Sequence, residues 1–381
     1  MMPWESKTVK EQREEFVEAA RNGNISKLCR EFGISRPTAY KWMRRAEAGL
    51  DLNDANRAPH RKPGKTNETT ERRILSIRED NPAWGGKTIH KVLENQGCET
   101  LPCIKTVSNI LKRNGYISPE ESLKHMPFQR FEKEECNEMW QTDFKGEFLT
   151  KDGRTCYPLD ILDDHSRFLI KIAPSESTRS VVMPAFREAF EEFGMPRSVL
   201  SDNGAQFAGF RKGYTQFEKW LMNLDVLPIH GRIKHPQTQG KIERLHRTMK
   251  AELLSGTDFE DIADAETHLQ EWRKKYNEIR PHAALQMRCP AQVYCPSSRR
   301  FPEKISKFEY SGQYHVIKVN SWGYVRFDKW QIYLSETMIG ENIEFRPNPN
   351  GDSFSACYRN FTIAEFNTQT GELIHRRISR L

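Results

Sequence analysis

The sequence predicts a multidomain chain with an all-α N-terminal region, an α/β central region and a small all-β C-terminal region. Apolar residues recur at helical spacing over residues 9–48 and 69–116. Strand-like and helical segments follow each other over residues 136–298, and short alternating segments rich in aromatic residues fill residues 305–380. A chain of 381 residues has room for about two to four such domains.

The first helical unit, residues 1–50, has the pattern of a helix-turn-helix DNA-binding domain. The sequence predicts helices near 9–22, 25–32 and 35–48, with Gly33 breaking the chain before the third. A helix of this kind fits the major groove, where Arg and Lys side chains reach guanine edges or phosphates. The alternative is an ordinary three-helix bundle with a basic surface. The side chains predicted to face DNA are Arg36, Thr38, Lys41, Arg44 and Arg45.

A second helical unit, residues 69–117, repeats this layout and is predicted to be a helix-turn-helix or winged-helix-like DNA-binding domain. Gly97 ends its second helix and Pro102 leads into the third. A basic linker at 51–68 precedes this unit, and a second linker at 118–135 follows it. Two units in tandem would read a longer DNA site than one. The outer face of the third helix carries Lys105, Thr106, Asn109, Lys112 and Arg113.

The charge distribution agrees with a phosphate-binding N-terminal region. The net charge is +7, and residues 1–125 hold 23 lysines and arginines against 17 aspartates and glutamates. A nucleic-acid footprint would produce such a surplus, although a solvated charged surface would also do so. The sequence has no apolar run of about 18 residues, so no membrane span is expected. The eight cysteines form no CxxC pair, which favours reduced thiols.

The central region, 136–298, begins with three strand-like segments joined by short turns, which predicts an antiparallel meander. A strand entered through a helix is expected to run parallel to its neighbour in the sheet. The predicted strands cover 138–148, 157–167, 168–174, 198–201 and 227–231, and the predicted helices cover 178–193, 215–224, 240–254 and 259–279.

Three acidic residues are the candidates for chemistry in this region. Asp143 lies inside the first strand, Asp202 follows the fourth, and Glu243 lies in the first turn of a helix. Clustered carboxylates repel each other, a hard divalent cation relieves that repulsion, and oxygen ligands suit Mg²⁺ or Mn²⁺. Arg247 and Lys250 share the helix face of Glu243, as a phosphodiester substrate requires. The alternative is a surface ion pair between Glu243 and Arg247, worth about 0.5 kcal/mol.

Five motifs in this order resemble those of bacterial insertion-sequence transposases: WQTDF, LDDHSRF, LSDNGAQF, HPQTQGKIERLHRTMK and YNEIRPHAAL. These proteins belong to the retroviral-integrase superfamily, which has a ribonuclease-H-like catalytic core and a DDE triad. The resemblance covers residues 136–298 continuously. The N-terminal helical pair and a small β-barrel-like domain at 299–381 also match the usual layout.

The resemblance implies a DNA transposase with Asp143, Asp202 and Glu243 as its catalytic triad and metal ligands. The enzyme would bind the terminal inverted repeats of its insertion sequence and catalyse 3′-end cleavage and strand transfer into target DNA. Two Mg²⁺ or Mn²⁺ ions per active site would assist, and Arg247 and Lys250 would hold the transposon end. Asn203 and Gly204 would shape the turn after the second acid.

The resemblance also implies the partners of the protein. Transposon ends and target DNA would be bound by a homodimer or a higher oligomer, in the bacterial cytoplasm at the nucleoid and without a membrane. No nucleotide cofactor is expected, because transesterification conserves bond energy and the sequence has no Walker A pattern.

Some residues in the central region keep alternative interpretations. Forty residues separate Asp202 from Glu243, more than is usual in the family, and Glu218 is the nearest competing acid. Asp164 is interpreted as a structural turn residue. Four scattered histidines are assigned to structure or phosphate contact: His230, His235, His246 and His282. A DNA-binding repressor with an inert core and a nonspecific nuclease are the competing functions.

Overall fold

The N-terminal helices form a unit of their own around a small apolar core. The computed structural model describes residues 8–54, 66–117, 132–209, 213–231, 240–349 and 351–381. The helices α1 (Val9–Ala20), α2 (Ile25–Glu31) and α3 (Arg36–Glu47) confirm the predicted pattern. Thr8, Asn24 and Ser35 cap them with side-chain oxygens that accept backbone N–H groups. The linker predicted at 51–68 lies mostly outside the described residues.

The second helical unit consists of α4 (Glu68–Asp80), α5 (Gly86–Asn95) and α6 (Ile104–Arg113). Ile74, Trp84 and Leu93 are among its fully enclosed side chains. Gly86 allows α5 to approach α6 closely, because a Cβ at that position would lie 2.3 Å from the hydroxyl of Ser108. Residues 66–117 contain no strand, so the described part of this unit is helix-turn-helix without a wing.

A five-stranded mixed sheet forms the centre of the chain. Its order is β5-β4-β1-β6-β7; β1, β4 and β5 form the predicted antiparallel meander, whereas β6 runs parallel to β1 and β7 parallel to β6. A short hairpin of β2 and β3 branches from it. The strands are β1 (Trp140–Phe144), β2 (Phe148–Leu149), β3 (Thr155–Cys156), β4 (Leu159–Asp163), β5 (Leu169–Ala173), β6 (Ser198–Ser201) and β7 (Leu227–His230).

Helices cover both faces of this sheet, each over its own apolar core. Trp140, Phe186 and Phe190 lie in the core beneath α7 (Val182–Phe193) and α8 (Gln216–Asn223). Leu162 and Leu245 lie in the core beneath α9 (Gly240–Met249) and α10 (Ile262–Glu278). This is the α/β core that the sequence predicts. No helix in the described residues is long and apolar enough to cross a membrane.

Two sequence predictions for the central region need correction. The strand predicted over 138–148 ends at Phe144, because the chain turns at Gly146, whose φ of +97° favours glycine. Phe148 and Leu149 pair with β3 instead of extending β1. The helix predicted over 240–254 is α-helical only to Met249 and continues as a π-helical turn, Lys250–Leu254.

The C-terminal region is all-β, as predicted, and packs against the central domain. Tyr214 and Met222 enter its apolar core, and the Tyr214 hydroxyl donates to the carbonyl of Ile363 at 2.7 Å. Asn350 of the predicted Asn-Gly turn lies outside the described residues. One sheet has the order β14-β13-β12-β11-β8 with β15 on β13, and β9 pairs with β10. The strands are β8 (His315–Lys318), β9 (Tyr324–Phe327), β10 (Trp330–Tyr333), β11 (Asn342–Pro347), β12 (Ser353–Tyr358), β13 (Phe361–Asn367), β14 (Leu373–His375) and β15 (Ser379–Arg380).

Candidate active site

Two of the three predicted acids come together at the ends of neighbouring strands. The parallel pairing of β1 with β6 sets Trp140 opposite Val199, and continuing that register brings Asp143 level with Asp202. Burial raises the pKa of Asp143 to about 6; the charge of His246 opposes this rise and that of Asp202 adds to it. The site therefore holds two carboxylates that repel each other.

The turn after β6 fixes the second carboxylate. The backbone N–H of Gly204 donates to Oδ1 of Asp202 at 2.9 Å, and the side-chain amide of Asn203 donates to the carbonyl of Gly231 at 2.8 Å. The Asp202 side chain stays half-buried at the carboxyl end of the sheet. These contacts agree with the role in shaping the turn that the resemblance implies for Asn203 and Gly204.

Glu243 lies in the first turn of α9 with its side chain exposed, and α9 packs against β1. Residues 232–239, which include His235 and most of the loop before the helix, lie outside the described residues. Within the described ranges, no group of three or more His, Cys, Asp or Glu side chains is arranged to hold a metal ion. The structure thus brings Asp143 and Asp202 together but does not place Glu243 in one group with them.

A buried pair that sequence reasoning missed attaches α9 to the sheet beside Asp143. Asp160 lies directly opposite Asp143 in the antiparallel register of β4 and β1, so both side chains point to the same face. Nε2 of His246 lies 2.8 Å from Oδ2 of Asp160. Burial raises the pKa of Asp160, and His246 counteracts the rise. An aspartate inside the apolar segment LDILD was the available signal.

A second buried pair fixes the start of the same helix. Asp164 accepts the backbone N–H of Lys133 at 2.8 Å and the side-chain amide of Gln141 at 2.7 Å, and it pairs with the ammonium of Lys241. Burial lowers the pKa of Lys241 to about 8. Asp164 is therefore a structural residue, as predicted, and Lys241 was missed.

Glu218, the competing third acid, also has a structural role. It is buried and forms a capping box at the start of α8, where its carboxylate accepts the backbone N–H of Thr215 at 2.6 Å. Nε2 of His230 lies 2.8 Å from its other oxygen, and Nδ1 of the same ring lies 3.1 Å from the hydroxyl of Ser201. These contacts assign both Glu218 and His230 to structure.

The comparisons with known proteins agree with this architecture. Two families described as "Integrase core domain" match residues 133–236 and 224–290, a "Helix-turn-helix domain" family matches 12–63, and a "Homeodomain-like domain" family matches 38–111. The "Transposase InsD" of insertion element IS2 in Escherichia coli is 25% identical over 289 residues, which are 72% of this chain and 91% of that protein. The chain therefore contains an integrase core domain and helix-turn-helix domains, and it is similar to insertion-sequence transposases.

Two further proteins are similar to this chain. An "uncharacterized 31.7 kDa protein" of insertion element IS407 from Burkholderia multivorans is 24% identical over 61% of this chain and 82% of its own length. Among solved structures, the HTLV-2 integrase catalytic core domain in complex with magnesium has a TM-score of 0.32 and 15% identity, over 42% of this chain and 97% of its own.

The predicted DNA-binding side chains are mostly exposed, but some of them contact other residues of the chain. In α3, Arg44 is exposed, whereas the guanidinium of Arg45 lies 5.4 Å from the ring of the buried Trp42. In α6, Arg113 pairs with Glu71. Exposed side chains are Arg36, Lys41, Lys105, Asn109, Lys112, Arg247 and Lys250, and half-buried ones are Thr38 and Thr106.

The motif Arg280-Pro281-His282, which sequence reasoning left unexplained, has a structural role. Nε of Arg280 donates to Oε1 of Glu252 at 2.8 Å. Burial and, to a smaller extent, the charge of Arg280 lower the pKa of His282 to about 3, so this ring is neutral at pH 7. His282 is therefore excluded as a cationic phosphate contact.

We expect Asp143→Asn to stabilise the metal-free protein at neutral pH. The pKa of Asp143 is about 6 in the folded state and about 4 in the unfolded chain, so the native state binds more protons between these values. Stability contributed by this group is present below pH 4 and is lost as the pH rises through 6. Urea denaturation in EDTA should show a gain of about 1–3 kcal/mol at pH 7.5 that shrinks towards pH 4.5. An equal gain at both pH values, or a gain with the exposed Asp258→Asn, would contradict this assignment.

Proposed function

We propose that this transposase binds the terminal inverted repeats of its insertion sequence and catalyses metal-dependent 3′-end cleavage and strand transfer. The observation that supports this most strongly is the pairing of Asp143 with Asp202 at adjoining strand ends, beside the helix that bears Glu243. Cleavage breaks a phosphodiester with water and leaves a 3′-hydroxyl. That hydroxyl then attacks a target phosphodiester, whose own 3′ oxygen leaves.

The carboxylates suit Mg²⁺ or Mn²⁺ as the cofactor, with Asp143, Asp202 and Glu243 as the proposed ligands. Burial is the main cause of the raised pKa of Asp143, and the negative charge of Asp202 adds to it, so a divalent cation bound here would stabilise both carboxylates. Two such ions, when bound, would polarise the phosphoryl oxygens and stabilise the attacking and leaving oxygens.

The side chains on the exposed face of α9 would hold the substrate. Arg247 lies one helical turn after Glu243, and Lys250 follows on the same face at the start of the π-helical turn. Their charges would bind the phosphates of the transposon end. We further propose that two or more copies assemble on the DNA, since two ends join one target.

Replacing Asp202 by Asn should abolish strand transfer. The change removes a charge from the proposed ligand set but keeps the side-chain size, so joining of the flanking DNA to a supercoiled plasmid in Mg²⁺ should fall about 100-fold or more. EDTA should have the same effect on the wild-type protein, and Asp258→Asn is the matched control. End binding without cleavage by the wild type, in Mg²⁺ and in Mn²⁺, would favour the repressor, and equal cutting of any DNA would favour a nuclease.

Glu243→Gln and Glu218→Gln should fail in different ways. Glu243 is exposed, so its replacement should abolish strand transfer while leaving the urea midpoint unchanged. Glu218 is buried and caps α8, so its replacement should lower stability by about 1–3 kcal/mol. Retained strand transfer in Glu243→Gln would remove that residue from the triad.

Arg44→Ala should weaken binding to the transposon end about three- to tenfold and leave stability unchanged. Arg44 is exposed on α3, so its guanidinium is available to bases or phosphates. Arg45→Ala should also lower stability, because Arg45 packs on Trp42. Fluorescence anisotropy with a labelled duplex measures the affinity, and Arg21→Ala, directly after α1, serves as the control. Unchanged affinity in Arg44→Ala would exclude α3 as the reading helix.

A further inference from the structure

A basic cleft of about 210 Å³ lies where the second helical unit meets α9. Ala83, from the loop between α4 and α5, lines one side, and Arg244 and Arg247 of α9 line another. Arg280 and the carboxylate of Glu252 also line it. Three guanidinium groups thus surround one carboxylate.

The carboxylate in this cleft is already satisfied by its neighbours. Its side chain is only 4% exposed, and it accepts hydrogen bonds from the indole N–H groups of Trp84 at 2.9 Å and Trp272 at 3.1 Å, as well as from Arg280. One charge of Arg280 therefore balances Glu252. The two remaining positive charges, on Arg244 and Arg247, are left for a ligand.

The side chains of Arg244 and Arg247 are exposed and form no ion pair or hydrogen bond with any residue that the structure describes. Their region of the chain has a positive potential, since Arg280, Arg167 and Arg244 all contribute to the lowered pKa of the buried His282. Guanidinium groups in a concave, water-accessible site bind phosphate oxygens through charge-assisted hydrogen bonds.

We propose that this cleft binds backbone phosphates of the transposon-end duplex, with Arg244 as a phosphate contact. The proposal rests on the function proposed above, because it takes the bound DNA to be the element end. A duplex held by both the second helical unit and α9 passes the cleft, which belongs to both. The contact is independent of base sequence, so it adds affinity and register without reading the end.

The experiment compares Arg244→Gln, Arg244→Lys and wild-type full-length protein. Arg187→Gln is the matched control, since Arg187 is exposed on α7, on the opposite face of the sheet. Anisotropy with a labelled end duplex is measured from 50 to 300 mM salt. Arg244→Gln should weaken binding about three- to tenfold and lower the slope of log K against log salt by about one. Arg244→Lys should keep the slope, and Arg187→Gln should match wild type.

Three outcomes would overturn the proposal. The first is an unchanged affinity and salt slope in Arg244→Gln, and the second is an equal loss of affinity in Arg187→Gln. The third is a loss of target joining alone when the ends are already bound, which would assign the phosphate to target DNA. Failure of this proposal is separable from failure of the proposed function. A protein that joins ends in Mg²⁺ without the Arg244 effect retains the function, whereas one that shows the effect without joining retains the cleft.

Discussion

The attachment of α9 to the central sheet by two buried contacts, Lys241 with Asp164 and His246 with Asp160, is the constraint on which the candidate active site depends. Lys241 and His246 flank Glu243 on the helix, and each meets a buried acid of the β4 region, Asp164 and Asp160. Burying charges is costly unless each is paired, so these contacts fix where the helix begins and how it is rotated. Glu243 can therefore remain exposed, because contacts of Lys241 before it and His246 after it fix the position of the helix.

The same arrangement places electrostatic strain around Asp143. Folding brings Asp143, Asp202 and Asp160 near one another, and burial raises the pKa of both Asp143 and Asp160. The ionised acids lower stability because they repel each other. The hydrogen-bonded register of β1, β4 and β6 holds Asp143 and Asp160, and it sets the turn that carries Asp202, against this repulsion.

Local patterns predicted most of the fold, because helices with an apolar face and strands with alternating residues are determined within a few positions. The prediction was wrong where a single backbone conformation decides the outcome, as at Gly146, which ends β1 early. Glu243 was a candidate from its place on the helix, and its membership of a triad was implied only by the motif resemblance. Pairs such as Lys241 with Asp164, which are 77 positions apart, have no local signature and appear only in the folded chain.

Glu252 connects the second helical unit to the central domain. It accepts hydrogen bonds from an indole of the second helical unit and from an indole of α10, 168 and 20 positions away. It lies in the π-helical turn that continues α9, and π-helical turns are frequent at functional sites. Separating the second helical unit from the central domain would remove the hydrogen bond from Trp84 to the buried carboxylate of Glu252. The loss of this bond would lower stability by about 1–3 kcal/mol. One buried charge thus links a proposed DNA-binding unit to the helix that carries Glu243, so DNA bound by that unit would be kept in a fixed relation to α9.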